Sequence, residues 1–189
     1  MKVVEPMMIP PGAKVFPLSV EAYRLLGEAG SIPKNTELLY GVVYNKVSKS
    51  PLHSSLVLEF LDLLHENLPP GHFLMSEQPI ACSDSEPEPD IAVVRGAIGD
   101  FRQCHPQTAE LVVEVCVTSH DYDRSKLRAY AGGAVKEVWL LLVPERQVEV
   151  YSQPVGGNYG EKKTIGPGGK LVSAALPNFA LDLDSFFQP

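Results

Sequence analysis

The stretch Leu111-Val112-Val113-Glu114-Val115 decides how this chain folds. Its aliphatic residues, most of them β-branched valines, favour a strand that is buried on both faces. An ionised carboxylate inside such a strand is costly unless it is paired or binds a cation. Glu114 is therefore either a functional residue or a strand residue that faces solvent or forms a structural ion pair.

A second apolar run with an acid at its head precedes this strand. Pro89-Asp90 leads directly into Ile91-Ala92-Val93-Val94. Aspartate after proline is by itself a common turn residue. Two acids that each belong to a valine-rich strand are more informative, because Mg²⁺ prefers carboxylate oxygens and keeps several waters, so that one or two acids suffice. Asp90 and Glu114 are the predicted ligands of Mg²⁺ or Mn²⁺.

The segment after the glutamate strand, residues 121–131, has the pattern of a helix. Asp123, Lys126 and Tyr130 are spaced so that they share one face of this helix. If that face covers the strand, the lysine can orient an attacking water or stabilise charge on a phosphate. The alternative for Lys126 is an ordinary solvated lysine on a helix.

The order of the predicted elements indicates an α/β (α+β) fold, in which helices flank a mixed central sheet. We expect a single domain over 1–189, with a proline-rich N-terminal arm at 1–17 and a β-rich C-terminal tail at 154–189. The Gly-rich segment 156–169 is expected to be a loop, because it lacks a phosphate-loop pattern. Predicted helices cover 19–26, 51–68 and 121–131, and predicted strands cover 37–47, 72–80, 90–95, 111–117, 138–143 and 148–151.

Composition limits the possible classes of protein. A chain of 189 residues that is 44% hydrophobic fits one ordinary globular domain. Its formal net charge of -7 argues against a general nucleic-acid coat protein. No stretch is long and apolar enough for a membrane span or a signal peptide, so no membrane partner is expected. The three cysteines have no metal-ligand spacing, which fits a reducing cytoplasm and predicts no zinc site.

The sequence contains four further candidates for the site. Glu37 and Glu77 lie in strand-like runs, and either could supply an extra acid near a metal. His53 begins the long helix, where a histidine is more often a surface residue than a catalytic one. Cys104-His105 does not form a promising nucleophile and base, because adjacent side chains rarely face each other and no third group orients them.

Several segments, in this order along the chain, resemble a large bacterial family of "putative restriction endonucleases" within the PD-(D/E)xK nuclease superfamily. The resemblance covers roughly residues 18–152. The segments that carry it are Glu37-Leu38-(x2)-Gly41, His53 at a helix start, Pro89-Asp90-Ile91-Ala92-Val93, Leu111-Val112-Val113-Glu114-Val115, Asp123-(x2)-Lys126-(x3)-Tyr130-Ala131 and Val138-Trp139-Leu140.

The resemblance implies a restriction-endonuclease-like core and a divalent metal held by Asp90 and Glu114. The lysine of the superfamily usually lies two residues after the acid, where this chain has Cys116. In the family that the chain resembles, the lysine comes from the following helix, which matches Lys126. The chain departs from the family in two places: Cys116 replaces an aliphatic residue, and Leu142 stands where an aspartate is frequent.

The resemblance therefore implies a metal-dependent DNA endonuclease. The alternative is a protein of the nuclease fold without catalysis, which acts as a binding or accessory subunit. The net charge favours this alternative, whereas the retained Asp90, Glu114 and Lys126 favour the enzyme. Because one active site cuts one strand of a duplex, we expect a homodimer, built through the N-terminal arm or a sheet edge.

Overall fold

The structure, a computed structural model, describes residues 11–46, 48–118 and 120–187. It confirms a mixed α and β fold with helices on both faces of a central sheet. The helices are α1 (Val20–Glu28), α2 (Pro51–Glu66), α3 (His120–Gly132) and α4 (Leu183–Phe186). The strands are β1 (Thr36–Leu39), β2 (Val42–Asn45), β3 (His72–Ser76), β4 (Ile91–Arg95), β5 (Leu111–Cys116), β6 (Glu137–Leu142), β7 (Gln147–Val155), β8 (Asn158–Ile165), β9 (Lys170–Val172) and β10 (Ala180–Asp182).

The central sheet has six strands in the order β3-β4-β5-β6-β7-β8, while β1–β2 and β9–β10 form two small separate sheets. Strand β5 lies inside the sheet, antiparallel to β4 and parallel to β6. A parallel pair needs a crossover connection, and α3 supplies it. Helix α3 therefore begins where β5 ends and packs back over β5 to β8.

The two faces of β5 belong to two different hydrophobic cores. Leu111, Val113 and Val115 pack with α2 and the C-terminal segment, whereas Val112 and Cys116 pack beneath α3. Side chains alternate between the faces of a strand. This alternation directs the side chain at position 114 towards α3 and away from α2.

Helix α2 covers the opposite face of the sheet and anchors an aromatic cluster. The ring of Phe60 lies 6.0 Å from that of Trp139 and 5.3 Å from that of Phe186, in both cases nearly perpendicular. Edge-to-face contacts of this kind add to the free energy gained by burial. No helix among the described residues is long and apolar enough to cross a membrane.

The structure corrects three sequence-based predictions. Segment 156–169 is not a loop, because Asn158–Ile165 forms β8, an outer strand of the central sheet. Gly156 and Gly157 both have positive φ, which makes the tight hairpin turn between β7 and β8. The predicted tail 154–189 therefore begins with strands of the main sheet. Strand β3 ends at Ser76 and not at residue 80, because Glu77 takes a φ of 55°.

Part of the predicted N-terminal arm, residues 1–10, lies outside the described residues. Residues 11–17 contain neither helix nor strand. The assignment of 1–189 to a single domain stays a prediction.

Glu137, the first residue of β6, joins the C-terminal segment to the sheet. Its side chain is buried, and its Oε1 accepts a hydrogen bond from Trp139 Nε1 at 3.0 Å. Its Oε2 accepts hydrogen bonds from Ser173 Oγ at 2.7 Å and from the backbone N–H of Ala175 at 3.3 Å. One carboxylate thus satisfies three donors from two parts of the chain.

We predict that Glu137→Ala lowers the free energy of unfolding by about 2 kcal/mol or more, because it leaves buried donors without acceptors. Urea unfolding followed by Trp139 fluorescence measures this change. The matched control is Glu59→Ala, which removes an exposed glutamate of α2 and should change the free energy by less than about 0.5 kcal/mol. An equal decrease in the free energy of unfolding in the two variants would contradict the role assigned to Glu137.

Candidate active site

A cavity of about 520 Å³ opens between the β1–β2 hairpin, the start of α2, the adjacent ends of β4 and β5, and the first turns of α3. Its walls bring together residues that are far apart in the chain. All but one of the site residues proposed from the sequence line it, namely Glu37, His53, Glu77, Asp90, Glu114, Asp123 and Lys126. Tyr130 lies behind the cavity wall and contacts it through Glu114.

Asp90 and Glu114 hold each other in place through the backbone. The backbone N–H of Asp90 donates to Glu114 Oε2 at 3.3 Å, and the backbone N–H of Val115 donates to Asp90 Oδ2 at 2.8 Å. These reciprocal bonds cross between neighbouring strand ends, so the two carboxylates have a fixed relative position. Neither strand can shift without breaking one of them.

Asp90 is surrounded by donors and cations. His53 Nε2 lies 3.1 Å from its Oδ2, and Lys49 Nζ lies 3.1 Å from its Oδ1. Burial alone raises the pKa of Asp90, but the hydrogen bonds from His53 and Val115 and the charge of Lys49 outweigh it and lower the pKa. Asp90 is therefore ionised at neutral pH.

Glu114, like Glu37, is almost completely buried, with 1% of its surface exposed. Its Oε1 accepts a hydrogen bond from the Tyr130 hydroxyl at 2.5 Å and lies 3.3 Å from Lys126 Nζ. Burial raises the pKa of Glu114 to about 8, the charge of Asp90 adds to the rise, and Lys126 opposes it. Without a bound cation, Glu114 therefore keeps a proton near neutral pH.

Lys126 is not a solvated helix lysine, because only 5% of its surface is exposed. Its Nζ lies 3.3 Å from Glu114, 3.4 Å from Glu37 and 3.8 Å from Asp123. Burial lowers the pKa of a lysine, but the attraction of these carboxylates outweighs it here and raises the pKa of Lys126. The ammonium therefore stays charged at the floor of the cavity.

The charges in the cavity do not balance. Lys126 faces the carboxyl groups of Glu37, Asp90, Glu114 and Asp123, and burial raises the pKa of Asp123 as well as that of Glu114. Lys126 and Lys49, which lies 3.1 Å from Asp90, cannot together neutralise four carboxylates, and Glu114, whose pKa burial raises to about 8, is the acid that holds a proton. A bound cation would remove the need for that proton.

Glu37 and Glu77 have different positions. Glu37 is buried at the cavity floor, where its Oε1 accepts from the Tyr122 hydroxyl at 2.7 Å and its Oε2 from the backbone N–H of Glu88 at 3.0 Å. Glu77 stands at the mouth with about half of its side chain exposed, and it pairs with Lys49 at 2.8 Å. Only Glu37 therefore adds an acid to the buried charge cluster.

His53 points into the cavity, although a histidine at the start of a helix is more often a surface residue. Ser50 caps α2 by accepting a hydrogen bond from the backbone N–H of His53 at 3.1 Å, and Pro51 occupies the first turn. This cap directs the imidazole towards Asp90. Its Nδ1 is buried and has no hydrogen-bond partner among the described residues. The Ser-Pro start of α2 is the sequence signal that could have located this residue.

Lys49 was missed by the sequence analysis. It lies in the irregular segment between β2 and α2, where no periodicity indicates the direction of a side chain. Burial lowers its pKa, but the contacts with Glu77 and Asp90 raise it overall. Lys49 thus adds a second cation to the cavity beside Asp90.

The donor set fits a hard divalent cation. Within the described residues, no three His, Cys, Asp or Glu side chains form a ready-made metal cluster. Asp90 and Glu114 nevertheless offer carboxylate oxygens in an environment with surplus negative charge, and Mg²⁺ needs only one or two protein carboxylates beside water and phosphate oxygens. Without a bound cation, burial and the charge of Asp90 favour the protonated form of Glu114.

Known proteins share this architecture. The crystal structure described as "a putative nuclease belonging to DUF820" from Anabaena variabilis ATCC 29413 matches this chain with a TM-score of 0.75 and 16% sequence identity. The match covers 90% of this chain and 98% of that one, so the two proteins share a fold. No curated protein was found to match the sequence.

The sequence itself also matches a family. The Uma2 family, described as "Putative restriction endonuclease", matches residues 21–184, which include every element from α1 to β10 apart from the first residue of α1. Because the match spans most of the chain, this protein belongs to the Uma2 family of nuclease-like proteins.

Proposed function

We propose that this protein is a metal-dependent DNA endonuclease, in which Asp90 and Glu114 hold Mg²⁺ or Mn²⁺ and Lys126 assists hydrolysis. The observation that carries the proposal is the buried ammonium of Lys126, 3.3 Å from Glu114, at the floor of a cavity that also contains Asp90. Membership of a family described as "Putative restriction endonuclease" supports the choice of a phosphodiester substrate.

Each residue has a distinct role in this proposal. Asp90 and Glu114 supply oxygen ligands, and a divalent cation bound there would polarise a phosphoryl oxygen and lower the pKa of a bound water. Lys126 keeps its charge and stabilises the negative charge that develops on the phosphate. Glu37 and Asp123 hold the ammonium in position through contacts of 3.4 and 3.8 Å.

The second candidate function is a binding or accessory protein with the nuclease fold and no catalysis. The formal net charge of -7 favours it, because acidic proteins have little general attraction for DNA. We place either protein in the cytoplasm, since all three cysteines are free.

We predict that Mg²⁺ or Mn²⁺ raises the melting temperature of the wild-type protein, because an ion that binds only the folded state stabilises it. Differential scanning fluorimetry over a titration of either ion measures the shift. The double variant Asp90→Asn/Glu114→Gln should show no ion-specific shift, while Glu59→Gln, an exposed control, should behave like the wild type. Equal shifts in all three proteins would argue against the metal site.

The same titration should depend on pH. The folded pKa of Glu114 is raised from the ordinary 4.5 to about 8, so this group stabilises the metal-free fold below pH 4.5 and that contribution is lost as the pH rises to about 8. A cation needs the ionised carboxylate, so the ion-induced shift should grow over the same pH window. A shift that shrinks as the pH rises would contradict the assignment of Glu114.

We predict that Lys126→Met lowers DNA cleavage by roughly 10²-fold or more, the scale for loss of a group that stabilises developing charge. The assay is nicking of supercoiled plasmid with Mg²⁺ or Mn²⁺. Because Lys126 is buried among carboxylates, the variant should also be less stable, by about 3 kcal/mol. Activity is therefore compared at a temperature where circular dichroism shows the variant to be folded.

The matched control for this variant is Lys136→Met, which changes an exposed lysine outside the cavity and should cleave like the wild type. If wild type and Lys126→Met cut equally well, the role assigned to Lys126 is wrong. If the wild type cuts no plasmid, single-stranded DNA or RNA with any of several metals, the accessory function replaces the enzyme.

We also propose a homodimer, since cyclic dimers are the commonest oligomers and two sites are needed to cut both strands of a duplex. The central sheet offers β3 and β8 as its outer strands for such an assembly. Light scattering at micromolar concentration should give about twice the 20.6 kDa of one chain. A mass of 20.6 kDa would contradict the dimer.

A further inference from the structure

An exposed aromatic ring stands beside the cavity. Tyr44 in β2 lies directly opposite Glu37 in the register of the β1–β2 hairpin. Directly opposite residues of an antiparallel pair point to the same face, so Tyr44 is on the side of the hairpin that faces the site. Tyr44 is 41% exposed, whereas Glu37 opposite it is 1% exposed.

Tyr44 is held in place by a second tyrosine. Its ring centroid lies 6.2 Å from that of Tyr122, at an angle of 64°. The Tyr122 hydroxyl donates to Glu37, and Lys126 Nζ lies 5.3 Å from the centre of the Tyr122 ring. Glu37 and Lys126 therefore hold Tyr122 in place. Tyr122 in turn packs against the exposed ring of Tyr44 and keeps that ring near Glu37 and Lys126.

Two lysines extend this surface along the edge of the cavity. Lys46 follows β2 directly and pairs with Glu88 at 2.5 Å, and Lys49 pairs with Glu77 and Asp90 at 2.8 and 3.1 Å. Both lysines line the cavity. Aromatic rings interleaved with lysines are what proteins use to bind single strands, because the rings stack on bases and the ammonium groups contact phosphates.

The depth of the cavity points to the same class of substrate. Glu114 and Lys126 are 1% and 5% exposed at the floor, and a volume of about 520 Å³ suits a ligand of about the size of one nucleotide. If the whole nucleotide enters the cavity together with its phosphate, a paired nucleotide has to leave the base stack, whereas an unpaired nucleotide has a much smaller energetic cost. The acidic chain offers little general attraction that would offset this cost.

We propose that the site acts on unpaired DNA, with one base stacked on Tyr44 and the adjoining phosphates contacted by Lys46 and Lys49. This inference rests on the proposed nuclease function and narrows its substrate. It is compatible with a monomer or a dimer, because each site then acts on one strand by itself.

The test compares three labelled substrates of one sequence: a single strand, a fully paired duplex, and a duplex with an unpaired tail. The full-length protein is incubated with each in Mn²⁺ and, separately, in Mg²⁺, and products are resolved on denaturing gels. The single strand and the tail should be cut at least about tenfold faster than the paired regions. Cuts in the tailed duplex should cluster in the tail and at its junction.

Variants of the exposed tyrosine test the stacking contact. Tyr44→Ala should lower cleavage of the single strand by about tenfold, mainly through a higher KM, because one base–aromatic contact is lost. Tyr44→Phe keeps the ring and should stay near wild type. Val172→Ala, which shortens an exposed side chain of β9 outside the cavity, is the control and should also match the wild type.

The outcomes separate this inference from the proposed function. If the paired duplex is cut as fast as the single strand, the protein is a nuclease and the inference is wrong. If Tyr44→Ala matches the wild type, or Tyr44→Phe is impaired as strongly as Tyr44→Ala, the stacking contact is wrong. If no substrate is cut although Mn²⁺ raises the melting temperature, the nuclease function and this inference both fall, while the metal site remains.

Discussion

The buried ammonium of Lys126 is the contact on which the rest of the site depends. It joins three parts of the fold, because Glu37 comes from the β1–β2 hairpin, Glu114 from β5 of the central sheet, and Asp123 from the same helix as the lysine. Without that charge, the carboxylates would repel one another in a region of low exposure, and the hairpin would lose the ion pair between Glu37 and Lys126 of α3. The contacts of Lys126 with Glu37, Glu114 and Asp123 thus fix the relative positions of the elements around the cavity. They also leave the cavity with a surplus of negative charge.

Much of this arrangement could be predicted from local patterns. Alternation along Leu111-Val112-Val113-Glu114-Val115 places Glu114 on one face, and the helical spacing of Asp123, Lys126 and Tyr130 places them together on the next element. Because the connection from β5 through α3 to β6 is expected to be right-handed, it determines which face of the sheet α3 covers. The fold class, which also followed from these patterns and from the family resemblance, is confirmed by the structure and its relative.

Other parts could not be predicted, for identifiable physical reasons. The Ser-Pro start of α2 indicates where the helix begins, but the contact of His53 with Asp90 depends on how α2 packs against the sheet. Lys49 lies in an irregular segment, so its contact with Asp90 depends on tertiary packing alone. Strand β8 was not predicted from the sequence, because the glycines before it and the charged residues within it are typical of a loop. In the structure, Gly156 and Gly157 form a two-residue turn, and the charged residues of β8 lie on an exposed sheet edge.

The site is divided between a fixed floor and a separate wall. Asp90 and Glu114 belong to the central sheet, whereas the β1–β2 hairpin is a sheet of its own that contacts α3 through the Tyr40 hydroxyl, which donates to the Ser125 carbonyl and accepts from the Ala129 N–H. Its turn requires glycine at position 41, where φ is 76° and a Cβ atom would lie 2.3 Å from the Cβ of Pro17. Changes at an exposed residue of this hairpin, such as Tyr44, can therefore alter what reaches the floor without disturbing Asp90 and Glu114. In the proposed nuclease, the hairpin and not the central sheet would therefore determine which substrates reach Asp90 and Glu114.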